Sequence, residues 1–298
     1  MTYYILHNPL AGNGVVDLDA HIAAFSEKGS VVRVDITTIK SYADFLAPLA
    51  PEDVIVLCGG DGTVNRFVND TEGLELPWDV LYIPCGTGND LLRDLDVQVS
   101  DCPISLKKHI ENLPIAELKG KRYRFLNNLG FGIDGYCCEV GDELKRKQPD
   151  KRVNYTAVAI KGLLFHFKPV TATVIVDGVK HVYKKAWLAP TMKGRFYGGG
   201  MMATPAQDRT DPEGTLSVML FYGKGRLATL MAFPSIFKGE HIKRTDMVAI
   251  HTGKDIRVSF DGPRAVQIDG ETILDVTEYH AYTEGVTVAE EALDAATV

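Results

Sequence analysis

The sequence predicts a doubly wound α/β domain over residues 1–121, followed by an antiparallel β-sandwich domain over 122–285. Three observations predict this fold class. Apolar runs alternate with amphipathic helical stretches in the first part, short strands and tight turns dominate the second, and three glycine-rich turns follow predicted strands in the first part. Strands that are separated by helices and buried on both faces imply a parallel sheet with right-handed crossovers.

The first domain is predicted from two periodicities, since continuous apolar runs indicate buried strands and apolar residues at helical spacing indicate amphipathic helices. The predicted strands are Tyr3–Leu6, Val31–Ile36, Val54–Leu57 and Val80–Ile83. The intervening helices carry the apolar faces Leu18/Ile22/Phe25, Tyr42/Phe45/Leu46/Leu49 and Val64/Phe67/Val68.

The second domain is predicted to be mainly antiparallel β, with one clear helix through Val153 to Leu164 and another over 226–236. The stretch "VIVDGVKHVY" (174–183) places Asp-Gly between β-rich arms, which is a strong hairpin signal. A second reversal is predicted within "VSFDGPRAVQIDGE" (258–271). No low-complexity linker separates the two parts, so the boundary is a change of pattern.

Length and composition exclude several classes of protein. With 298 residues, 45% of them hydrophobic, the chain is long enough for two cores. A formal charge of -7 argues against a nucleic-acid binder, and five cysteines without C-x-x-C spacing favour reduced, buried thiols. The start "MTYYILHNPLAGNG" lacks the pattern of a secretory signal and no apolar run reaches about 20 residues, so we expect a cytoplasmic protein.

The glycine-rich turns are "HNPLAGNG" (7–14), "CGGDGT" (58–63) and "PCGTGND" (84–90). Ligands of open α/β sheets bind beyond the carboxyl ends of the strands, and glycines there let backbone N–H groups approach a phosphate closely. Asp61 would repel a phosphate unless a divalent cation, most simply Mg²⁺, stands between them. A single GGDG is equally typical of a plain turn with a capping aspartate. Three such turns at one predicted sheet edge favour the phosphate site.

These turns, together with "NNLGFGIDG" (127–135), "FYGGGMMATPAQ" (196–207), "GTLSV" (214–218) and "QIDGE" (267–271), resemble the diacylglycerol kinase and lipid kinase family, which includes sphingosine and ceramide kinases. GGDGT alone is not specific, because NAD kinases also carry it. The resemblance implies an NAD kinase/diacylglycerol kinase-like fold and an enzyme that transfers phosphate from ATP to a lipid hydroxyl. It also suggests that residues 286–298 return to the first domain.

The resemblance assigns roles to single residues. Asp61 would act through Mg²⁺, Asp90 and Asp134 match acidic positions around the metal and its water network, and Glu271 matches the general base. Nucleotide contacts are implied for Asn8, Gly12, Gly59, Gly60, Gly62, Thr63, Gly86, Thr87 and Asn89. From spacing alone, Glu271 would be an exposed turn carboxylate after Asp269-Gly270.

The sequence departs from the family at two places. Arg66 stands where many relatives have glutamate, and Asp70 where glycine is usual, so Arg66 either alters ligand contacts or lies on a solvated helix face. In "DRTDPEGTL" (208–216), Pro212 and Glu213 interrupt an Asp-Asp-Gly turn at which some bacterial members hold a structural Mg²⁺. Asp211 and Glu213 are the candidate ligands.

A lipid acceptor requires contact with a membrane surface, and the basic run "LKRKQPDKR" (144–152) with Lys161 and Lys168 is a candidate for this contact at the inner face of the membrane. A solvated loop before a core helix is the alternative interpretation. The edges of the β domain could pair two copies into a homodimer.

Two other functions stay open on the sequence. An NAD kinase-like enzyme with a soluble acceptor would use the same glycine-rich turns to bind phosphate, although "PCGTGND" and "QIDGE" fit lipid kinases better. A catalytically weak regulator that binds nucleotide or lipid is motivated by Arg66 and the altered 208–216 loop. Asp61 and Glu271 count against this regulator, because it would need neither.

Overall fold

The computed structural model describes residues 1–9, 18–86, 89–148, 151 and 153–284. The chain divides into two compact units, Met1–Leu113 and Pro114–Val298. The boundary predicted at 121/122 falls within a β-hairpin formed by strands Ile115–Leu118 and Lys121–Arg124. This hairpin belongs to the second unit, because its first strand also pairs with residues 280–282. Residues 286–298, which the resemblance assigns to the first domain, lie outside the described residues.

The first unit is built on a five-stranded sheet of order β2-β1-β3-β4-β5, in which β1 to β4 are parallel and β5 is antiparallel to β4. The strands are β1 Thr2–His7, β2 Ser30–Asp35, β3 Val54–Gly59, β4 Asp79–Pro84 and β5 Ile104–Ser105. The helices are α1 Leu18–Ser26, α2 Tyr42–Leu46, α3 Asp61–Asp70, α4 Asp90–Asp94 and α5 Lys107–Ile110, with short 3-10 turns at Ile36–Thr38 and Val99–Asp101.

This unit confirms the four predicted strands, their parallel arrangement and the three helices between them. Its core contains Ile5, Val56 and Ile83 from three neighbouring strands, and Phe25 of α1 packs against the same cluster. Helix α2 is shorter than its apolar pattern, which extends to Leu49, because Pro48 has no N–H to continue the helical hydrogen bonds.

Over the residues that the structure describes, the second unit contains twelve strands and three α-helices. The strands are β6 Ile115–Leu118, β7 Lys121–Arg124, β8 Asn128–Gly132, β9 Val170–Val176, β10 Val179–Ala186, β11 Leu188–Met192, β12 Phe196–Tyr197, β13 Met201–Met202, β14 Leu216–Phe221, β15 Val248–Gly253, β16 Asp255–Ile268 and β17 Glu271–Tyr282. The helices are α6 Ile133–Lys147, α7 Tyr155–Lys161, continued by a π-helical turn Gly162–His166, and α8 Arg226–Ala232, with 3-10 turns at Phe233–Lys238 and Glu240–Lys243.

Ten strands form one antiparallel sheet that folds over a common core. The long strand β16 shifts register between Ser259 and Val266, so that its first part pairs with β9 and its last part with β8. Both predicted reversals are confirmed: β9 and β10 meet at Asp177-Gly178, and β16 and β17 meet at Asp269-Gly270.

The prediction of one clear helix before residue 170 was incomplete, because α6 precedes α7. Glycine disfavours the interior of a helix, but Gly135 and Gly141 of α6 are required by packing. A Cβ on Gly135 would lie 2.1 Å from the carbonyl oxygen of Ala265, and one on Gly141 would lie 2.6 Å from the Tyr155 ring. The first part of the basic run, residues 144–147, is therefore the end of a helix and not a loop.

Among the described residues, no helix combines the length and apolarity needed to span a bilayer.

Candidate active site

The predicted phosphate site begins at the carboxyl edge of the first unit's sheet. Neighbouring strands β1, β3 and β4 end at His7, Gly59 and Pro84, so the three glycine-rich turns start side by side. Gly60 is the N-cap of α3 and Asn89 the N-cap of α4, while Gly62 and Thr63 lie in the first turn of α3. The predicted contacts Gly12 and Thr87 lie outside the described residues.

The first and second turns are joined through Asn8 and Thr63. The Asn8 side-chain Nδ2 donates to Thr63 Oγ1 at 3.4 Å, and the Asn8 backbone N–H donates to the Cys58 carbonyl oxygen at 3.2 Å. The Thr63 side chain packs directly on Gly59, where a Cβ would lie 2.2 Å from Thr63 Oγ1. Gly59 is thus required for the approach of the helix to its own strand.

The second and third turns are in direct backbone contact. A Cβ on Gly86 would lie 2.9 Å from Gly60 Cα, and the Cys85 N–H donates to the Gly59 carbonyl oxygen at 2.7 Å. The Tyr82 hydroxyl donates to the same carbonyl at 3.2 Å and lies 3.4 Å from Asn89 Oδ1. These contacts bring the described parts of the predicted phosphate turns together at one edge.

Asp61 links α3 to α4. Its Oδ2 accepts a hydrogen bond from the Asp90 N–H at 2.7 Å, and its Oδ1 accepts one from the Leu91 N–H at 3.4 Å. The capping interpretation is therefore partly right, but the helix that Asp61 caps is the neighbouring α4 and not its own helix α3. The bond holds the Asp61 carboxylate at the backbone of Asp90. Asp90 itself is only 4% exposed, and its carboxylate lies 3.6 Å from the Arg93 guanidinium.

The arrangement fits a Mg²⁺ that is bound together with a polyphosphate. Over the described ranges, no group of three or more histidine, cysteine, aspartate or glutamate side chains is arranged as a metal cage. Mg²⁺ commonly uses only one or two carboxylates and takes its other ligands from water and phosphate. Asp61 and Asp90 each supply a carboxylate at the start of a helix that follows a glycine-rich turn, and one or two such carboxylates are the protein donors that this ion uses.

Asp134 lies in the second unit, at the start of α6, with its carboxyl group buried. Oδ1 accepts from the Gly135 N–H at 2.9 Å, whereas Oδ2 has no hydrogen-bond partner within the described chain. Oδ2 occupies the space over Gly130, where a Cβ would lie 2.4 Å away. Burial raises the pKa of Asp134 to about 7, and the Gly135 N–H and the nearby Gln267 amide limit the rise. The Asp134 carboxyl group therefore changes its protonation state near neutral pH.

Replacing Asp134 with asparagine is expected to stabilise the fold at alkaline pH. An unfolded aspartate ionises near pH 4, whereas the buried one resists ionisation until about pH 7, so the wild type loses stability as the pH rises through this window. Between pH 5 and 8 the loss attributable to Asp134 is roughly 2–3 kcal/mol. Urea unfolding at both pH values should show this loss in the wild type and in the exposed control Asp44→Asn, but not in Asp134→Asn. A variant with the wild-type pH dependence would contradict the assignment.

Glu271 is the first residue of β17, directly after the turn Asp269-Gly270, and its side chain is exposed. The turn is anchored by Asp269, whose carboxylate accepts from the N–H groups of Leu126 at 2.5 Å, Asn127 at 2.8 Å and Asn128 at 3.0 Å. Burial raises the pKa of Asp269 to about 6 in spite of these bonds. The exposed Glu271 therefore stands on a firmly held hairpin end.

Arg209 completes the anchor, and its role was missed on the sequence. Its guanidinium is 7% exposed and donates to the Leu126 carbonyl oxygen at 2.8 Å and to Asn127 Oδ1 at 2.5 Å. The positive charge also favours the ionised form of Asp269. Asp-Gly in "QIDGE" signalled the turn, but nothing local signalled partners more than 80 residues away in the chain.

Comparison with known proteins agrees with this geometry. Residues 2–117 match the model of the diacylglycerol kinase catalytic domain, and residues 127–289, more than half of the chain, match that of the YegS C-terminal NAD kinase beta sandwich-like domain. The chain belongs to the diacylglycerol kinase and lipid kinase family.

Two curated relatives of this lipid kinase family member match over most of their length. A diacylglycerol kinase of Mycobacterium tuberculosis is 28% identical over 279 residues, which cover 89% of this chain and 87% of the relative. A diacylglycerol kinase of Bacillus subtilis is 24% identical over 291 residues, with 90% and 92% covered.

Solved structures show the same fold. The structure of a diacylglycerol kinase from Bacillus anthracis strain Sterne superposes with a TM-score of 0.60 at 19% identity, covering 95% of this chain and 93% of that one. Yeast NADH kinase solved with NADH superposes with a TM-score of 0.50 at 13% identity, covering 97% and 80%. The predicted NAD kinase/diacylglycerol kinase-like fold is confirmed.

The departures of this lipid kinase family member from the usual pattern have local explanations. Arg66 is largely exposed and lies 3.5 Å from Asp70 one helical turn later, so the two unusual residues of α3 form an ion pair with each other. This geometry agrees with the solvated-face interpretation of Arg66.

In the 208–216 loop the candidate metal ligands point to other partners. Asp211 accepts from the N–H of Glu213 at 3.0 Å and from the N–H and hydroxyl of Thr215, while Glu213 Oε2 lies 2.6 Å from Lys254 Nζ. Each of the two carboxylates thus has its own partners, and the loop is closed by hydrogen bonds to Asp211.

Proposed function

We propose that this protein is an ATP-dependent kinase that phosphorylates the hydroxyl of diacylglycerol or a related long-chain lipid alcohol. The observation that carries the proposal is the Asp61 carboxylate, which the backbone N–H of Asp90 holds at the junction of glycine turns. The names of the two curated relatives support a lipid acceptor.

The turns would bind the triphosphate of ATP. Backbone N–H groups at Gly59, Gly60 and Gly86 can approach phosphate oxygens closely, and α3 adds the partial positive charge of its N-terminus. Asn8, Gly12, Gly62, Thr63, Thr87 and Asn89 complete the proposed nucleotide contacts. Asp61 and Asp90 would hold Mg²⁺, which supplies charge neutralisation for the phosphates when it is bound. Asp211 and Glu213 stay weaker candidates for a structural ion.

Glu271 would act as the general base and Asp134 as a proton-exchanging group in the surrounding water network. Glu271 takes the proton of the acceptor hydroxyl as the hydroxyl oxygen attacks the γ-phosphorus, the bond from that phosphorus to the β–γ bridging oxygen breaks, and ADP leaves with the bond's electrons. The product is a lipid phosphate monoester. The proton passes from Glu271 to water.

The test incubates the purified full chain with γ-labelled ATP, Mg²⁺ and, in separate reactions, diacylglycerol, phosphatidylglycerol, a sphingoid base, a polyprenol, NAD or no acceptor. We expect label in an organic-extractable product with one lipid class and none with Asp61→Asn. Label in NAD would favour the NAD kinase-like alternative. Nucleotide or lipid binding without any labelled product would favour the regulator.

The proposed acceptor also defines where the enzyme works. A long-chain lipid alcohol resides in a bilayer, so the enzyme must meet the membrane surface to reach it. We therefore include transient peripheral association with the inner face of the membrane in the proposal.

A further inference from the structure

Three large apolar side chains of the second unit are each at least 70% exposed. Phe165 of the π-helical turn is 71% exposed, and Leu227 and Met231 of α8 are 70% and 77% exposed. We call these three residues the apolar face. Single exposed apolar side chains are ordinary, whereas a contiguous set marks an interaction surface.

The three side chains belong to adjoining segments. The Arg226 guanidinium at the start of α8 donates to the Leu163 carbonyl oxygen at 2.8 Å, which fixes α8 beside the π-helical turn. Leu227 and Met231 are four residues apart and so share one side of α8. Thr229 and Ala232 on the opposite side are buried, so the fold directs the apolar face outward.

The two chain segments that carry the apolar face are cationic. The segments 155–170 and 226–238 contain no aspartate or glutamate, although the whole chain has a formal charge of -7. Their cations are Lys161, Lys168, Arg226 and Lys238, and none of them forms an ion pair with a carboxylate in the part of the chain that the structure describes. By contrast, Lys145 and Lys147 of the basic run lie near Asp142 and Glu143 on their own helix.

We infer that the apolar face, with Lys161, Lys168, Arg226 and Lys238 around it, docks on an anionic phospholipid bilayer. Apolar side chains surrounded by cations match a bilayer surface, where acyl chains lie beneath anionic headgroups. A second copy of this chain is less well matched, because the same cations would face each other across a symmetric interface. The inference deepens the proposed function, on which it rests, by assigning the membrane contact to this face and not to residues 144–152.

A cavity adjoins the docking surface. It has a volume of about 340 Å³, and His166, Phe167 and Lys168, which directly follow Phe165, form part of its wall. Arg264, Leu274 and Asp275 line it from the β16–β17 side, and Glu139 lines it from α6. Insertion of Phe165 into the bilayer would bring the neighbouring cavity wall to the level of the headgroups. A lipid could then enter the cavity from the membrane.

Vesicle co-sedimentation of the full chain, without ATP, tests the inference. We expect binding to vesicles of equal parts phosphatidylcholine and phosphatidylglycerol, weaker binding to phosphatidylcholine alone, and weakening by salt. The triple variant Phe165→Gln/Leu227→Gln/Met231→Gln should bind at least about tenfold more weakly, because each apolar side chain contributes to insertion. The pair Lys161→Gln/Lys168→Gln should lose the preference for the anionic vesicles.

The matched control is Val179→Gln/Val182→Gln, which removes two side chains that are 59% and 55% exposed on β10. It should bind vesicles as the wild type does, and thermal unfolding should confirm that every variant is folded. Unchanged vesicle binding by the triple variant would overturn the inference. If the triple variant differs from the wild type in oligomeric mass but not in vesicle binding, the apolar face would be assigned to contact with a second copy, which would also overturn the inference.

The two proposals fail separately. A chain that phosphorylates lipid but binds vesicles independently of the apolar face keeps the proposed function and loses the docking inference. A chain that phosphorylates no acceptor but binds vesicles through the apolar face loses the proposed function and keeps the docking surface.

Discussion

Replacing Asp61 with asparagine is expected to lower the turnover of the kinase by roughly 10³-fold or more. Asparagine keeps an oxygen that can accept the 2.7 Å bond from the Asp90 N–H, but it removes the negative charge that would hold Mg²⁺ beside the phosphates. Loss of the charge stabilisation that a metal gives to phosphoryl transfer is worth several kcal/mol. Turnover with γ-labelled ATP and the preferred lipid measures the effect.

Asp61→Ala separates the two roles of the side chain. Alanine removes both the charge and the hydrogen bonds to the first turn of α4, so it should abolish turnover and also lower the free energy of unfolding by about 1 kcal/mol. Ser41→Ala is the matched control, since Ser41 caps α2 through the Asp44 N–H and has no proposed contact with nucleotide. It should cost a similar amount of stability and leave turnover intact. Near-wild-type turnover in Asp61→Asn would contradict the metal role.

The fold of the first unit could be predicted from the sequence because each of its strands and main helices has a local sequence signal. The runs at Val54 and Val80 are apolar throughout, as strands covered on both faces must be, and glycines with polar residues follow them. Parallel connection then places the carboxyl ends of β1, β3 and β4 at one edge, which is why the sequence alone groups Asn8, Asp61 and Asn89.

The features that the sequence did not reveal depend on partners distant in the chain. The glycines of α6 oppose a helix locally and make sense only against Ala265 and Tyr155. The partners of Asp61 follow from the position of the first turn of α4 beside it, and the buried bonds of Asp269 join residues more than 140 positions apart. Spacing predicts which side chains reach one edge of a sheet, but not which hydrogen bonds they form there.

Replacing Glu271 with glutamine is expected to lower turnover by roughly 10²–10⁴-fold, the usual contribution of a positioned general base, and to leave a measurable residue of activity. Positioning and charge neutralisation by the turns and Mg²⁺ would persist, so the loss should be smaller than that of Asp61→Ala. Because Glu271 is exposed at the start of β17, the free energy of unfolding should not change.

The decisive readout is the dependence of turnover on pH. A base that must be ionised lowers turnover as the pH falls through its pKa, and glutamine cannot titrate, so this acidic limb should disappear in Glu271→Gln while the KM for ATP stays the same. Glu278→Gln, a second exposed glutamate on β17, should keep both the rate and the limb. An acidic limb that survives in Glu271→Gln would transfer the role of base to another group, and Asp134, with its pKa raised to about 7, would be the first to test.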